Sequence, residues 1–209
     1  RFGAPVLEAY GMTEASHQMS SNPMPPEQRK AGSVGKPTGV KINIMSMEKI
    51  GHMLSENQVG EVVIQGENVT SGYHNNEDAN RDAYIDGWFR TGDQGFLDDD
   101  GYLNLTGRIK ELINRGGEKI SPLEVDAILI NHPSVNEAVC FASPDEKYGE
   151  VVHAALVVNS EVSDKEIQEF CSKSLAKFKV PEKIYFAEKL PRTATGKIQR
   201  RNVAKFFAD

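Results

Sequence analysis

The feature that most constrains this chain is a change in its pattern of secondary-structure elements close to Lys110. Before that residue, short runs rich in β-branched residues alternate with turns that contain glycine and aspartate, a pattern typical of strands. After it, helix-capping sequences stand between the strand-like runs. The pattern predicts an α/β chain with a boundary near Lys110. A compact α+β unit follows that boundary, and it is large enough to fold as a domain.

In the first part, strands are predicted at residues 40–47, 60–65, 89–97 and 102–105. The last two are joined across DDDG at 98–101, where an Asp-Gly step is typical of a hairpin. Asn76 can cap a short helix over residues 77–84. The segment 20–35 holds three prolines and is predicted to be a surface loop.

In the second part, two capping boxes predict helices. Ser121 precedes Pro122 and Glu124, and Ser163 precedes Glu166. The second box is predicted to open a longer helix that carries Ile167, Phe170, Cys171, Leu175 and Phe178 at helical spacing. Strands are predicted at 137–142, 151–158 and 183–187, and a final helix from about Gly196.

Charge and composition exclude some functions. The net charge of -6 and the pI near 5.5 argue against a general nucleic-acid binder. Two cysteines without metal-ligand spacing favour a reduced intracellular protein. No apolar run is long enough to span a bilayer, and RFGAPVLEAY is unlike a signal peptide. We expect the chain to begin in the middle of a domain.

A first candidate site is EAYGMTEASH at 8–17. Tyr10 can stack on a purine, and Gly11 lets a ligand approach the backbone closely. Thr13 can bind a phosphate, and Glu14 offers Mg²⁺ a hard oxygen ligand. The alternative is a strand end followed by a polar turn.

Two further stretches contain groups that suit a nucleotide ligand. In GWFRTGDQG at 87–95, Asp93 can accept hydrogen bonds from a ribose diol, although turn aspartates commonly bond their own backbone. In GRIKELINRGGEKISPLEVD at 107–126, Gly116 and Gly117 can form a tight turn that approaches a narrow ligand. The alternative there is a plain hairpin.

The last candidate is PRTATGKIQRR at 191–201. It lacks the glycine spacing of a phosphate-binding loop, so Lys197 alone is weak evidence for phosphate binding. A basic surface helix or a local nucleic-acid patch would have the same composition. The two arginines after Gln199 are predicted to lie at the surface or to help anchor the loop.

Taken in order, YGMTE, GWFRTGD, GRIKELINRGGEKISPLEVD and PRTATGKIQRR resemble the motifs of the adenylate-forming acyl-CoA synthetase family, and the resemblance covers essentially the whole chain. The strings EAYGMTEASHQMSSNP and GRIKELINRGGEKISPLEVDAIL are most like those of its oxalate-activating members in plants and fungi. The resemblance implies that residues 1–109 are the strand-rich end of the large adenylating domain. Residues 110–209 would then be the small, mobile C-terminal domain.

The resemblance also implies a two-step reaction with ATP, Mg²⁺ and coenzyme A. A carboxylate attacks the α-phosphate of ATP, which releases pyrophosphate and leaves an acyl-adenylate. Coenzyme A then forms a thioester and releases AMP. The family's Thr/Ser/Gly-rich phosphate loop and most of the acyl pocket lie upstream of the matched motifs. We therefore expect the chain to need the N-terminal portion of the same enzyme, and to be inactive alone.

Residue roles implied by the family are as follows. The nucleotide site would use Glu8, Ala9, Tyr10, Gly11, Met12 and Thr13 with Asp93 and Arg108, and Glu14 would bind the metal. Lys110 would be the hinge, and Arg115, Gly116 and Gly117 would bind coenzyme A. Lys197 would bridge the carboxylate and the α-phosphate. Thr13, Glu14 and Lys197 would thus be the catalytic residues.

His17 bears on the choice of acid. A histidine here can donate to the second carboxylate of oxalate or of another small dicarboxylate, but it can also simply face solvent. Medium-chain or 4-coumarate-type acids, transfer to a carrier protein, and a non-enzymatic nucleotide- or nucleic-acid-binding role stay open. The chain ends in FFAD without a peroxisomal address, and we expect a cytoplasmic or peroxisomal protein.

Overall fold

A computed structural model describes residues 3–194 and 196–208 of the chain. It divides into two compact units, Arg1–Ile109 and Lys110–Asp209. Separate hydrophobic clusters lie in the two units. No helix within the described residues is both long enough and apolar enough to cross a membrane.

The first unit consists of two antiparallel sheets and a short helix. One sheet has the strand order β1-β2-β3, and the other has the order β4-β5-β7-β6 with β8 also paired to β7. The elements are β1 (Ala9–Met12), β2 (His17–Ser21), β3 (Lys36–Pro37), β4 (Lys41–Met45), β5 (Gly60–Gln65), α1 (Glu77–Ala83), β6 (Tyr84–Ile85), β7 (Trp88–Leu97) and β8 (Leu103–Arg108). One core joins the sheets, because Tyr10 and Met19 pack in the same cluster as Val62, Ile64 and Phe89.

Most elements predicted for this unit are confirmed. The strands predicted at 40–47 and 60–65 are β4 and β5, and β7 pairs with β8 across the predicted turn. In that turn Gly101 donates its backbone N–H to the Asp98 carbonyl oxygen at 2.8 Å. Asn76 caps α1 by accepting from the backbone N–H of Ala79. The short strands β2, β3 and β6 were not predicted, and β1 fits the strand end that was the alternative interpretation of residues 8–17.

The second unit is a five-stranded mixed sheet with helices on both faces. Its strand order is β10-β9-β12-β11, and β13 runs parallel to β12. The elements are β9 (Ile113–Arg115), β10 (Glu118–Ile120), α2 (Pro122–Leu129), β11 (Val135–Asp145), β12 (Gly149–Val158), α3 (Asp164–Ser172), β13 (Lys183–Phe186) and α4 (Arg200–Ala208). The unit thus has the predicted α+β composition.

The alternation of side chains along β11 and β12 explains how both faces of the sheet are covered by helices. Cys140 and Ala154 pack with Val125 of α2 and Ile167 of α3. Neighbouring residues on the same strands, such as Phe141 and Ala155, point to the other face and pack with Val203 of α4. Because successive side chains of a strand point to opposite faces, the same two strands supply both cores.

Three details of the second unit differ from prediction. Ser121 occupies the N-cap position of α2, but its side chain does not make the capping hydrogen bond. Helix α3 ends at Ser172, so Leu175 and Phe178 lie beyond it, although both still pack on the core. The final helix begins at Arg200 and not near Gly196, because the left-handed Gly196 belongs to a turn instead.

Candidate functional site

The segment from Tyr10 to His17 forms a tight two-stranded structure. β1 pairs with β2, the register shifts between Tyr10 and Gly11, and a 3-10 helix, Thr13–Ala15, joins the strands. A Cβ atom on Gly11 would lie 1.8 Å from the carbonyl oxygen of His17. Gly11 is therefore required for the close approach of the two backbones, in addition to any role towards a ligand.

The end of this turn has an uncommon backbone conformation. Ser16 has φ of 51° and His17 has φ of 87°, both in the left-handed region that non-glycine residues seldom adopt. Hydrogen bonds support the turn: Asn68 donates to the Ala15 carbonyl oxygen at 2.7 Å, and Ser16 donates to the Asn68 carbonyl oxygen. The exposed side chain of His17 is thus held on a supported turn.

Thr13 and Glu14 offer oxygen atoms beside that turn. Thr13 is exposed, and Tyr73 donates its hydroxyl hydrogen to the Glu14 carboxylate at 3.0 Å. Partial burial, followed by the nearby Glu14 charge, raises the pKa of Tyr73 and keeps its hydroxyl protonated as a donor. This contact of Tyr73 was not predicted from the sequence.

A single carboxylate fits a magnesium ion that is bound mainly through nucleotide phosphates. Such ions take one or two protein carboxylates and complete their octahedron with water and phosphate oxygens. Within the described part of the chain, no three His, Cys, Asp or Glu side chains are grouped as a metal site. Glu14 therefore suits a shared ion, but not a site made by protein alone.

A β-bulge at residues 91–93 of β7 includes Asp93, which itself pairs with Arg108 of β8. Val63 pairs with Arg90 and Glu61 pairs with Gln94, so that three residues of β7 oppose one residue of β5. The bulge has Gly92 at φ of 73° in the left-handed region, and Glu61 accepts from its backbone N–H. Bulges of this kind commonly redirect a side chain next to a functional site.

The Asp93 carboxylate lies between Tyr10 of β1 and Arg108, its cross-strand neighbour on β8. It is 6% exposed, and one oxygen accepts from the Tyr10 hydroxyl at 2.5 Å. Its other oxygen pairs with Nε of Arg108 at 2.9 Å. Burial, and then the Asp93 charge, raises the pKa of Tyr10, so the phenol stays protonated. These three predicted nucleotide-site residues therefore form one cluster.

This cluster refines two predicted roles without testing them. Tyr10 is only 9% exposed, so its ring offers a ligand little surface, and stacking on a purine stays a prediction. Each Asp93 oxygen keeps a lone pair for a ribose hydroxyl. The Arg108 side chain is 65% exposed and can move towards a ligand.

Glu8, another predicted nucleotide-site residue, lies outside this cluster. Its side chain binds the neighbouring loop, accepting from the Gly32 N–H at 2.9 Å.

In the second unit, Gly116 and Gly117 form the two-residue turn of the β9–β10 hairpin. Their φ angles are 60° and 97°, as a type I′ turn requires at both central positions. Both are exposed, and a Cβ on Gly117 would meet no atom within 4 Å. The turn therefore needs glycine for its backbone conformation, and the predicted hairpin is confirmed.

Arg115 stands beside this turn at one end of an open groove. Its guanidinium lies 4.1 Å from the centre of the Tyr148 ring and 2.7 Å from the Glu182 carboxylate. Within the described residues, its buried Nε has no hydrogen-bond partner. The groove has a volume of about 860 Å³, and Lys165, Lys177 and Phe178 also line it. Basic groups and an apolar wall thus lie next to the predicted coenzyme A hairpin.

Lys197 projects from a small closed loop. Arg192 and Ile198 form an isolated β-bridge, and the Thr193 N–H donates to the Lys197 carbonyl oxygen at 2.9 Å. The Lys197 side chain is exposed, and its ammonium makes no ion pair with any described residue. Among the described residues, the loop therefore presents a cation without an ion pair.

Lys110 and Arg200 are two further residues whose predicted positions can be compared with the structure. The predicted hinge, Lys110, is exposed within a 3-10 helix, Ile109–Glu111. Arg200 does not lie at the surface, because its side chain is 13% exposed, and its two ion pairs are consistent with the alternative prediction that it helps anchor the loop. Its surroundings are set by tertiary packing, which local composition does not encode.

Two family models match the chain, one within each unit. The model of the AMP-binding enzyme matches residues 1–74, and the model of the AMP-binding enzyme C-terminal domain matches residues 124–197. The chain belongs to the AMP-binding enzyme family, which confirms the resemblance of its motifs.

Named relatives are CoA ligases. Oxalate–CoA ligases of Arabidopsis thaliana and Saccharomyces cerevisiae are each 56% identical to the chain and match 100% and 99% of it. The matched regions are 41% and 38% of those proteins, so the chain spans about two fifths of their length. O-Succinylbenzoate coenzyme A synthetase of Bacillus subtilis, solved with ATP and magnesium, superposes with a TM-score of 0.84 at 38% identity. That match covers 96% of this chain and 42% of the synthetase.

Proposed function

We propose that this chain forms part of an ATP-dependent acid–thiol ligase that makes an acyl-adenylate and then a coenzyme A thioester. The observation that carries the proposal is the Tyr10–Asp93–Arg108 cluster, because it joins three separate motifs of the resemblance into one polar site. Oxalate is the proposed acid, since the two plant and yeast relatives are named for it. The proposed compartment is the cytoplasm or the peroxisome.

In the first step, the carboxylate oxygen bonds to the α-phosphorus of ATP and the bond to the pyrophosphate breaks. Asp93 and Arg108 would hold the ribose, and Thr13 and Glu14 would face phosphate and Mg²⁺. The free Lys197 ammonium would stabilise the charge that develops between two anions. One such preorganised group typically contributes about 10²–10³ in rate.

In the second step, the thiol sulfur of coenzyme A bonds to the acyl carbon, AMP leaves, and the thiol loses its proton. The exposed Gly116–Gly117 turn suits a narrow chain such as pantetheine, because neither residue has a side chain to obstruct it. In the groove beside it, Lys177 would suit the phosphates at the other end of coenzyme A. Arg115 and Lys165 also line this groove, where they pair with Glu182 and Glu169.

The decisive experiment is a coenzyme A ligation assay on the full-length protein that contains this chain. Oxalate is compared with malonate, acetate, a medium-chain acid and a coumarate-type acid, with product thioester as the readout. We expect oxalate to have the highest kcat/KM. Adenylate formation without coenzyme A transfer would favour an acyl-carrier partner instead, and preference for another acid would reject oxalate.

His17 provides a sharper test of the small dicarboxylate. We predict that His17→Ala raises the KM for oxalate about tenfold or more, the loss expected for a hydrogen bond to a charged group. The KM for ATP should change little, because the ribose cluster does not include His17. Gln18→Ala, at an exposed neighbour, is the matched control. Equal increases in both KM values would remove His17 from the acid site.

A further inference from the structure

Arg200 makes more polar contacts than its place in a basic run suggests. It is the first residue of α4 and follows Lys197 by three positions. Its guanidinium lies 2.9 Å from the Asp126 carboxylate and 3.2 Å from the Glu111 carboxylate. It also donates to the backbone carbonyl oxygen of Cys140 at 2.5 Å. One side chain thus bonds α2, β11 and the segment next to Lys110.

The Asp126–Arg200 pair supplies hydrogen-bond partners for backbone groups at the open edge of the sheet. β11 is an end strand, so the outer N–H and carbonyl groups of Cys140 have no neighbouring strand. Asp126 accepts from the Cys140 N–H at 2.6 Å, while Arg200 donates to the Cys140 carbonyl oxygen. α2 and α4 cover opposite faces of the sheet, and this pair joins them across its edge.

The other end of the Lys197 loop is fixed to the same strand. Arg192 pairs with Glu137 of β11 at 2.7 Å and donates to the Gly196 carbonyl oxygen at 2.9 Å. The loop therefore has an arginine at each end, and both arginines bond to β11. Of the two, Arg200 is the more buried, with 13% exposure of its side chain against 44% for Arg192.

We propose that Arg200 is a positioning residue for Lys197. Together with Asp126, it fixes the end of the Lys197 loop to the edge of β11, and through Glu111 it ties that loop to the segment at Lys110. This inference rests on the proposed function, since it assigns Arg200 to the step that uses Lys197.

The proposal predicts a selective defect. Adenylation needs the Lys197 ammonium at the correct position relative to the reacting atoms, and a misplacement of about 1 Å can cost about 10² in rate. Thioester formation uses the Gly116–Gly117 turn, which is held by its own backbone contacts to Tyr148 and β10. A residue that merely stabilised the second unit would affect both steps together.

The test separates the two half-reactions in the full-length enzyme. Acid-dependent ATP–pyrophosphate exchange measures adenylation, and chemically prepared acyl-adenylate with coenzyme A measures thioester formation. Arg200→Lys retains the charge but cannot reach all three acceptors, because it lacks the planar fork of arginine. We expect exchange to fall about 10²-fold while thioester formation stays close to the wild-type rate. Arg201→Ala, at the exposed neighbour, should leave both rates unchanged.

A second variant separates the positioning role of Arg200 from misfolding caused by an unpaired buried charge. Burial raises the pKa of the Asp126 carboxyl, and loss of Arg200 alone would leave that buried group unpaired. Arg200→Met with Asp126→Asn removes both charges, and it should give the same selective loss. Equal loss in both half-reactions, or no loss, would overturn the positioning role. If the wild-type enzyme forms no acyl-adenylate with any acid, the proposed function itself fails.

Discussion

At the scale of single residues, the hydroxyl of Tyr10 is the group whose role the structure changes most. Its type suggested a ring that stacks on a base, whereas its hydroxyl donates to Asp93 over a short distance of 2.5 Å. A hydrogen bond to a charged group contributes about 1.5–3 kcal/mol. The hydroxyl can therefore orient the carboxylate that is proposed to bind the ribose.

We predict that Tyr10→Phe, which keeps the ring, raises the KM for ATP about tenfold or more in the full-length enzyme. It should also reduce the preference for ATP over 2′-deoxy-ATP, because an unrestrained Asp93 holds the diol less well. Steady-state kinetics with both nucleotides measure the two effects. Tyr102→Phe is the matched control, since that hydroxyl donates to the Gln28 carbonyl oxygen instead. Unchanged ribose discrimination would show that Tyr10 acts through its ring alone.

Residue types in this site were readable from sequence, but their partners were not. Asp93 and Tyr10 are 83 positions apart, and their contact depends on two sheets meeting in one core. The bulge that contains Asp93 likewise depends on how β5 and β7 pair. Tyr73 was missed for the same reason, since it reaches Glu14 across 59 positions.

At the scale of elements, most locally encoded signals were confirmed, although the Ser121 side chain does not make its predicted capping hydrogen bond. The box at Ser163 and Glu166 forms with both of its hydrogen bonds, and the Asp-Gly step lies in the turn between β7 and β8. Elements fixed by tertiary packing were not predicted well. α4 starts at Arg200, after a turn in which the Gly196 N–H donates to the Thr193 carbonyl oxygen, and Leu175 packs on the core without being helical.

The capping box of α3 gives a stability prediction. Ser163→Ala removes the acceptor for the Glu166 N–H, and loss of such a cap costs about 0.5–2 kcal/mol. Thermal or denaturant unfolding should show this loss in free energy of unfolding. Ser172→Ala is the matched control, because Ser172 lies at the far end of the same helix and donates only to the Glu169 carbonyl oxygen. A larger loss in the control would contradict the capping role.

The same box makes a pH prediction with a definite sign. Hydrogen bonds from the Ser163 backbone and side chain lower the pKa of Glu166 from its ordinary value of 4.5. Because the folded-state pKa is the lower one, this stabilisation is complete above the unfolded-state pKa and is lost as pH falls through the folded-state value. Wild-type protein should exceed Glu166→Gln in stability at neutral pH, and the gap should close in acid. A gap that persisted in acid would assign the difference to packing.

At the scale of the whole molecule, the proposed chemistry is shared between two units and a larger protein. The Tyr10–Asp93–Arg108 cluster belongs to the first unit, and Lys197 with the Gly116–Gly117 turn belongs to the second. The sequence motifs predicted which part of the chain contains each of these groups. The backbone that presents each group was visible only in the structure, as with the two arginines that anchor the Lys197 loop.

The last prediction concerns the chain by itself. Glu14 is the carboxylate proposed to bind Mg²⁺, and the sequence has no Gly-rich loop of phosphate-binding spacing to hold the leaving pyrophosphate. Positioning of both reactants supplies about 7–11 kcal/mol of a bimolecular barrier, so an incomplete phosphate site should abolish turnover. We therefore expect the 209-residue chain to give no acid-dependent ATP–pyrophosphate exchange, whereas the full-length enzyme does. Full-length Lys197→Ala sets the background rate, and exchange by the chain above that background would show that its two units suffice for adenylation.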